Sequence, residues 1–347
     1  MLAAVLRGVH DVGLEERPRP TLQDDTDVLI RVTATMICTS EVHYAEGFLP
    51  PCPPFVMGHE FVGVIEEAGA AVTSFKVGDR VVAPPYPFCG KCEICRKGVS
   101  GMCPSGRLFG SGESFGNLAG GLAEYVRAPL ADVALLKIPD EISDEQAVFI
   151  PDMLATGYFG VQNAQLKPGQ TLAVIGAGPV GLCAVATARL YDPSRIIVVG
   201  RRANRLDAAV KMGATDVVDT AAADPVEEVT RLTDGRGADA VIDAVASAES
   251  IAGAAPLLAI GGTLSVIGFP PPGNVGLPLQ ALTFKNPTLR FGVTDQSNMP
   301  FLLGLLRAGK VDVSPLLTHV RPLAEFESAF EMFAGKHDNC LKVLLKP

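Results

Sequence analysis

The chain lacks any apolar segment that reaches the ~18 residues of a membrane span without a glycine, a proline or a charge interrupting it. No membrane partner is expected. Its first residues, MLAAVLRGVHDVGLEE, carry too short an apolar run, and charge too soon after it, for a signal peptide; they read as a strand and hairpin. Basic charge is scarce: 29 lysines and arginines stand against 38 acidic residues, a net charge of −9. No basic stripe forms, which excludes a phosphate-backbone partner such as nucleic acid. Charged residues make up 19% against 48% hydrophobic, too apolar a balance for a disordered chain. A disulfide framework is not expected from the eight cysteines, because four crowd into one short lobe and the rest scatter through apparent core. That pattern suits metal binding in a reducing compartment, and a soluble, cytoplasmic protein is expected.

What is present divides the chain in two. At 347 residues it exceeds what one core usually supports, so a second domain inserted into the first is expected. From Met1 to about Pro151, glycine and proline punctuate short alternating runs such as Val28–Val32, Val62–Ile65 and Arg80–Ala83. Strands bounded by turns at this spacing predict a β-barrel or sandwich. Gly120–Val126 reads as a further strand, and a helix after Pro139 should be capped by Ser143 with Gln146 in its first turn.

Two sets of metal donors lie in this half. The stretch CTSEVHYAEGFLPPCPPFVMGHE offers a thiol at Cys38, an imidazole at His59 and a carboxyl at Glu60, and Asp152 is the best candidate for a further ligand. The second set is Cys89-x2-Cys92-x2-Cys95-x7-Cys103. Four thiolates at that spacing make a closed tetrahedral site with no position for substrate, so a structural zinc lobe is expected at about 87–105. A redox-active CxxC pair would sit beside a helix in a βαβ context, whereas here the surroundings are prolines and glycine.

Gly58-His59-Glu60-x-x-Gly63-x5-Gly69-x-x-Val72, with Cys38-x-Ser40-x-x-His43 upstream, resembles the zinc-dependent medium-chain dehydrogenase/reductase family, and the resemblance spans essentially the whole chain. It implies a GroES-like β-barrel catalytic domain at 1–153 and 292–347, with an inserted Rossmann doubly wound sheet at 154–291. It also implies a catalytic zinc on Cys38, His59 and a third ligand, with Glu60 beside the metal. Where many members carry a cysteine third ligand this chain has Asp152, which resembles the bacterial secondary-alcohol dehydrogenase branch. Ser40 and His43 take the positions of a proton relay, needed because an alcohol on zinc must lose its proton before hydride leaves. Read structurally, Ser40 caps a helix beginning near Glu41 and His43 is exposed on it; the two readings coexist. The cysteine lobe matches the family's structural zinc site, giving two zinc ions per chain.

In the insert, Thr171–Ile175 reads as a buried strand, and Gly176-Ala177-Gly178-Pro179-Val180-Gly181 opens an apolar helix to about Leu190. Glycines in that context allow a tight turn and close backbone approach, and the helix start offers free amides to a pyrophosphate. Further strands at Ile196–Val199, Asp216–Val218, Ala240–Asp243 and Thr263–Ile267 give the rhythm of a parallel doubly wound sheet. By resemblance, Ile267 and Gly268 lie along the nicotinamide ring and Thr156 packs on its other face. Cofactor choice turns on the end of the second strand, Gly200-Arg201-Arg202 with Arg205 beyond. No carboxylate there repels a 2′-phosphate and guanidiniums could pair with it, so NADP(H) is favoured; NAD(H) stays possible if these arginines are only solvated.

After about Phe291 the chain is expected to return to the barrel through a helix at 301–306, a strand at 316–320 and a helix at 324–333. His319 reads as a packed strand residue, and Cys52, Cys183 and Cys340 as core or incidental. Lys342 resembles a position that touches the cofactor pyrophosphate, or is a solvated lysine. Phe48, Leu49, Phe88 and Phe109 are the apolar candidates for a substrate pocket.

The reading is an alcohol dehydrogenase of primary or secondary alcohols, acting in reverse on aldehydes or ketones, and by resemblance a homo-oligomer with a tetramer favoured over a dimer. Two rivals remain: an NAD-linked polyol or amino-alcohol dehydrogenase on the same scaffold, and a non-catalytic nucleotide-binding redox sensor. Metal content and a substrate panel separate them.

Overall fold

The nine-residue strand Val28–Met36 organises the first half of the protein in this computed structural model. Residues 1–47, 54–271 and 273–347 are described; Phe48, Leu49 and Cys52 lie outside them. The strand is rich in β-branched residues, which suit a pleated, buried position. It pairs antiparallel with Glu60–Ala68 on one side, and on the other with Tyr125–Ala128 at one end and Lys342–Lys346 at the other. This register fixes which side chains meet at the strand's C-terminal end. Met36 opposite both Glu60 and Leu344 brings His59, Glu60 and Lys342 alongside the residues that come just after Met36, namely Ile37 and Cys38.

A seven-stranded sheet results, with a three-stranded sheet of Leu2–Gly8, Asp11–Glu16 and Phe55–Val56 beside it. Inside it, Phe61 and Phe109 meet edge to face with ring centroids 5.0 Å apart, among Val28, Ile30, Val81 and Val126. Phe109 is therefore a core residue, which corrects its placement at a substrate pocket. Ser143 caps the helix Asp144–Ala147 in a reciprocal box with Gln146, as its sequence predicts.

The second half is a six-stranded parallel sheet. Counted along the chain, its strands Thr171–Ile175, Arg195–Gly200, Asp216–Asp219, Ala238–Asp243, Leu258–Val266 and Thr288–Phe291 stand in the order 3-2-1-4-5-6, that of a doubly wound dinucleotide fold. By Cα proximity the chain forms two compact units. One is Met1–Asp152 with Thr294–Ala308 and Leu317–Pro347; the other is Met153–Val293 with Gly309–Leu316. The return runs through the helix Met299–Arg307, the strand Leu317–Pro322 and the helix Phe326–Gly335. Among the described residues, no helix is long and apolar enough to cross a membrane.

Candidate active site

Three separated segments of the first unit bring four donors together. Cys38 precedes the helix Thr39–Ala45, His59 and Glu60 open the strand Glu60–Ala68, and Asp152 sits on a single π-type turn, Ile150–Leu154. Ligand atoms of the four lie within 4.8 Å of one another. Asp152 Oδ2 is 3.5 Å from Cys38 Sγ and 3.4 Å from His59 Nε2. Gly58, at φ +102°, makes the bend into His59; a Cβ there would press on the backbone nitrogen and side chain of Leu122. The donors fit a zinc ion: sulfur, nitrogen and oxygen are at hand, and the buried Glu60 Oε1 has no hydrogen-bond partner among the described residues.

The sulfurs of Cys89, Cys92, Cys95 and Cys103 also lie within 4.8 Å of one another, with Cys89 to Cys103 at 3.6 Å and Cys92 to Cys103 at 4.0 Å. Tetrahedral ligation with Zn–S bonds of about 2.3 Å requires sulfurs about 3.8 Å apart, so this lobe fits zinc as well. Backbone amides of Lys91 and Cys92 pull the Cys89 thiol down to about 6, while burial pushes Cys95 up to about 12.

In the second unit, Gly178 caps the helix Pro179–Ala188, with Pro179 at its first position. A methyl group on Gly181 would run into the Gly176 carbonyl, so only glycine allows this turn. Arg205 reaches back toward the loop: its Nη1 lies 3.8 Å from where a Cβ on Gly178 would stand. The neighbouring strand ends at Gly200, followed by the exposed Arg201 and Arg202 and by the helix Ala203–Met212.

The Alcohol dehydrogenase GroES-like domain family matches residues 24–140, and the Zinc-binding dehydrogenase family matches residues 179–304. An alcohol dehydrogenase of Cupriavidus necator is 36% identical over 365 residues, covering 100% of this chain and 99% of its own. The chain belongs to the zinc-dependent medium-chain dehydrogenase/reductase family. It is thus one of a family of oxidoreductases. An alcohol dehydrogenase from Thermus sp. ATN1 superposes with a TM-score of 0.93 at 36% identity, covering 100% of this chain and 99% of its own. A putative zinc-binding dehydrogenase from Sinorhizobium meliloti 1021, bound to NADP, superposes at 0.88 and 28% identity, covering 100% and 99%.

Within this dehydrogenase the structure adds residues that sequence reasoning missed and moves others. Glu41 is fully buried and bridges the donors: its Oε2 accepts from the Cys38 backbone nitrogen at 2.6 Å, and its Oε1 pairs with His59 Nδ1 at 2.7 Å. That pairing leaves His59 Nε2 for a metal. The available signal was the Cys38-x-x-Glu41 spacing, that of a helix cap and its third residue. Because Cys38 takes the cap, the expectation that Ser40 caps the helix is corrected: Ser40 Oγ is buried and has no hydrogen-bond partner among the described residues. Lys342 is corrected too. It is 1% exposed rather than solvated, and its Nζ donates to the Ile37 carbonyl at 2.7 Å and to Glu60 Oε2 at 2.5 Å.

Burial dominates the electrostatics. It pushes the Cys38 thiol up to about 11, helped by Glu60 and Asp152, and lifts Glu60 to about 7 against the pull of Lys342. Burial also disfavours a charged His59, but Glu41 and Cys38 outweigh it and hold the imidazole well above its usual value. Asp152 is disfavoured as an anion by burial, yet its hydrogen bond and attraction to His59 hold it below the usual carboxylate range. His319, as expected, is a strand residue outside both donor groups, with ring nitrogens 2.9 Å from Thr318 Oγ1 and 3.0 Å from Asp338 Oδ2. Cys183 and Cys340 are buried, and Phe88 lines a small hollow with Leu135, Leu136 and Met299.

Proposed function

We propose that the protein is a zinc-dependent alcohol dehydrogenase that reversibly converts a primary or secondary alcohol to the aldehyde or ketone with NADP(H). Residues 1–153 and 292–347 form its catalytic domain and 154–291 its dinucleotide-binding domain. The observation that carries this reading is the convergence of Cys38, His59, Glu60 and Asp152 from three segments within the first unit. Zinc, when bound, supplies a Lewis acid for the alcohol oxygen, and the dinucleotide supplies the nicotinamide carbon that takes the hydride.

The chain's own residues do the rest. Cys38 as thiolate and Asp152 as carboxylate offer two negative charges to a dication, while His59, held by Glu41, offers a neutral nitrogen. Ser40, its hydroxyl otherwise unpartnered among the described residues, takes the alcohol's proton and passes it toward His43. Burial pulls the His43 pKa below its usual value, so it stands neutral and able to accept that proton near neutral pH. Cys89, Cys92, Cys95 and Cys103 would hold a second, structural zinc.

In the other unit, amides at Gly176, Gly178, Pro179–Val180 and Gly181 line the start of a helix where a pyrophosphate is favoured, although Pro179 itself has no N–H to give. Thr156, Ile267 and Gly268 would hold the nicotinamide ring when the dinucleotide is bound. No carboxylate lies between Gly200 and Arg205, and Arg201, Arg202 and Arg205 supply guanidiniums for a 2′-phosphate. One relative of this fold, from Sinorhizobium meliloti, holds NADP and another, from E. coli, holds NADH, so the choice rests on these arginines. Four cysteines gathered as metal donors in one lobe support a reducing, cytoplasmic setting, and a homo-oligomer, tetramer before dimer, is the assembly we expect.

The test is a paired assay with NADPH and NADH over a panel of aldehydes, ketones, simple alcohols, sorbitol and threonine, with and without chelator. Chelator-sensitive turnover that prefers NADPH and apolar alcohols supports the proposal. Turnover that survives metal removal, or strict use of NADH with sorbitol or threonine, refutes it.

A further inference from the structure

We propose that Asp295 pins the four-cysteine lobe to the segment by which the chain re-enters the first unit, so that metal in the lobe and order in residues 294–300 stabilise each other. The lobe has little to hold it otherwise. Its helix Glu93–Arg96 buries no residue, and Val99 and Met102 are exposed. Between the ligands Cys95 and Cys103, Ser100 and Gly101 are buried, and Ser100, at 1% exposure, is the one of the two with a side chain to be held.

Ser100 is buried because it is gripped from a point 195 positions away in the chain. Its Oγ donates to Asp295 Oδ1 at 2.5 Å, its backbone nitrogen donates to the same oxygen at 3.4 Å, and the Gln296 backbone nitrogen donates to Ser100 Oγ at 2.7 Å. Ser297 completes the shell, donating from its hydroxyl to Asp295 Oδ2 at 2.5 Å and from its backbone to Oδ1 at 3.2 Å. A carboxylate with this many donors is held ionised. Burial works against the charge, but the bonds from Ser100 and Ser297 outweigh it and keep Asp295 below the usual carboxylate range.

The position of the grip matters. The long span of the second unit, Met153–Val293, gives way to the first unit at Thr294, so Asp295 is the second residue after that crossing. Gln296 cannot share the task through its side chain: at 1% exposure its amide nitrogen and oxygen both lack a hydrogen-bond partner among the described residues. On the lobe side, Ser100 opens the turn that Cys103 closes, since the Cys103 backbone nitrogen donates to the Ser100 carbonyl at 3.0 Å. Whatever fixes Cys103 therefore fixes Ser100, and through it Asp295. A coupling of this kind is reciprocal by thermodynamic necessity, so it must be visible from both ends.

The inference rests on reading the lobe as a zinc site, and the first measurement separates the two: zinc counted per chain in the wild type and in Cys92→Ser, which should lose one ion. Zinc release into a coloured chelator is then followed in the wild type, Asp295→Ala and Ser100→Ala, with Cys92→Ser giving the trace of the remaining ion. We expect release from the lobe to be about tenfold faster in both variants, with the other ion unchanged, the latter also reporting that the variants are folded. Hydrogen exchange of the 294–300 peptide supplies the reverse arm: its protection should fall in Cys92→Ser, where Asp295 is intact. Equal lobe release in all three proteins, or equal exchange with and without lobe zinc, overturns the anchor while leaving the metal site standing. A wild type without lobe zinc overturns the metal reading, and the anchor with it.

Discussion

His59 can serve a metal only if its Nε2 is free of a proton, and two neighbours set that condition. Glu41 pairs with Nδ1 at 2.7 Å, so the ring proton belongs there once a cation occupies the other side. Glu41→Gln keeps the volume but loses the charge, and should weaken zinc at this site by about 10–100-fold while the four-cysteine lobe keeps its ion; titration with a competing chelator reads both. The same groups predict a pH dependence. With Cys38 pushed up to about 11 by burial and His59 held well above its usual value, both carry protons at pH 7 in metal-free protein. Both protons must leave when zinc binds, so affinity rises with pH and is lost as pH falls, by up to about 100-fold per unit for two protons. Competition between pH 6 and 8 checks this, and a flat profile would show that the donors are already deprotonated.

Elements with a single sequence period were legible in the sequence, and positions set by distant partners were not. Five of the six parallel strands of the second unit are short runs closed by glycine or a polar turn and could be read directly; the edge strand Thr288–Phe291, TLRF, is mostly exposed and offers no apolar run, so it was missed. The donors at Cys38 and His59 were legible because thiol and imidazole stand where a known motif puts them, and Asp152 because a carboxyl takes the place where many members carry a cysteine. Lys342 was not: whether its ammonium meets water or a carboxylate 282 positions away depends on the pairing of Met36 with both Glu60 and Leu344, which no local pattern encodes. Ser40 does not cap because Cys38, an uncommon cap, already occupies that place two residues earlier. At the glycine loop the element itself makes a prediction. Gly181→Ala places a methyl against the Gly176 carbonyl, so the turn must open, at a cost of about 1–3 kcal/mol in stability. NADPH affinity, read from cofactor fluorescence, should fall at least about tenfold, because the amides at the helix start no longer converge.

At the scale of the whole molecule, the two units have separate cores: one is built around Val28, Phe61 and Phe109, the other around Ala173, Val241 and Leu264. The donor groups for metal belong to the first, and the glycine loop with its basic turn belongs to the second. A ligand stabilises only the structure that binds it, by RT ln(1 + [L]/Kd), or about 2.7 kcal/mol at a hundredfold excess over Kd. Zinc should therefore protect the first unit and NADPH the second. Scanning calorimetry is expected to show two transitions, with chelation lowering one and NADPH raising the other, and a calorimetric enthalpy larger than the van't Hoff value. A single transition that moves equally with chelator and with NADPH would mean that the two cores melt as one cooperative body. The stabilising effect of each ligand would then have to be assigned to the chain as a whole.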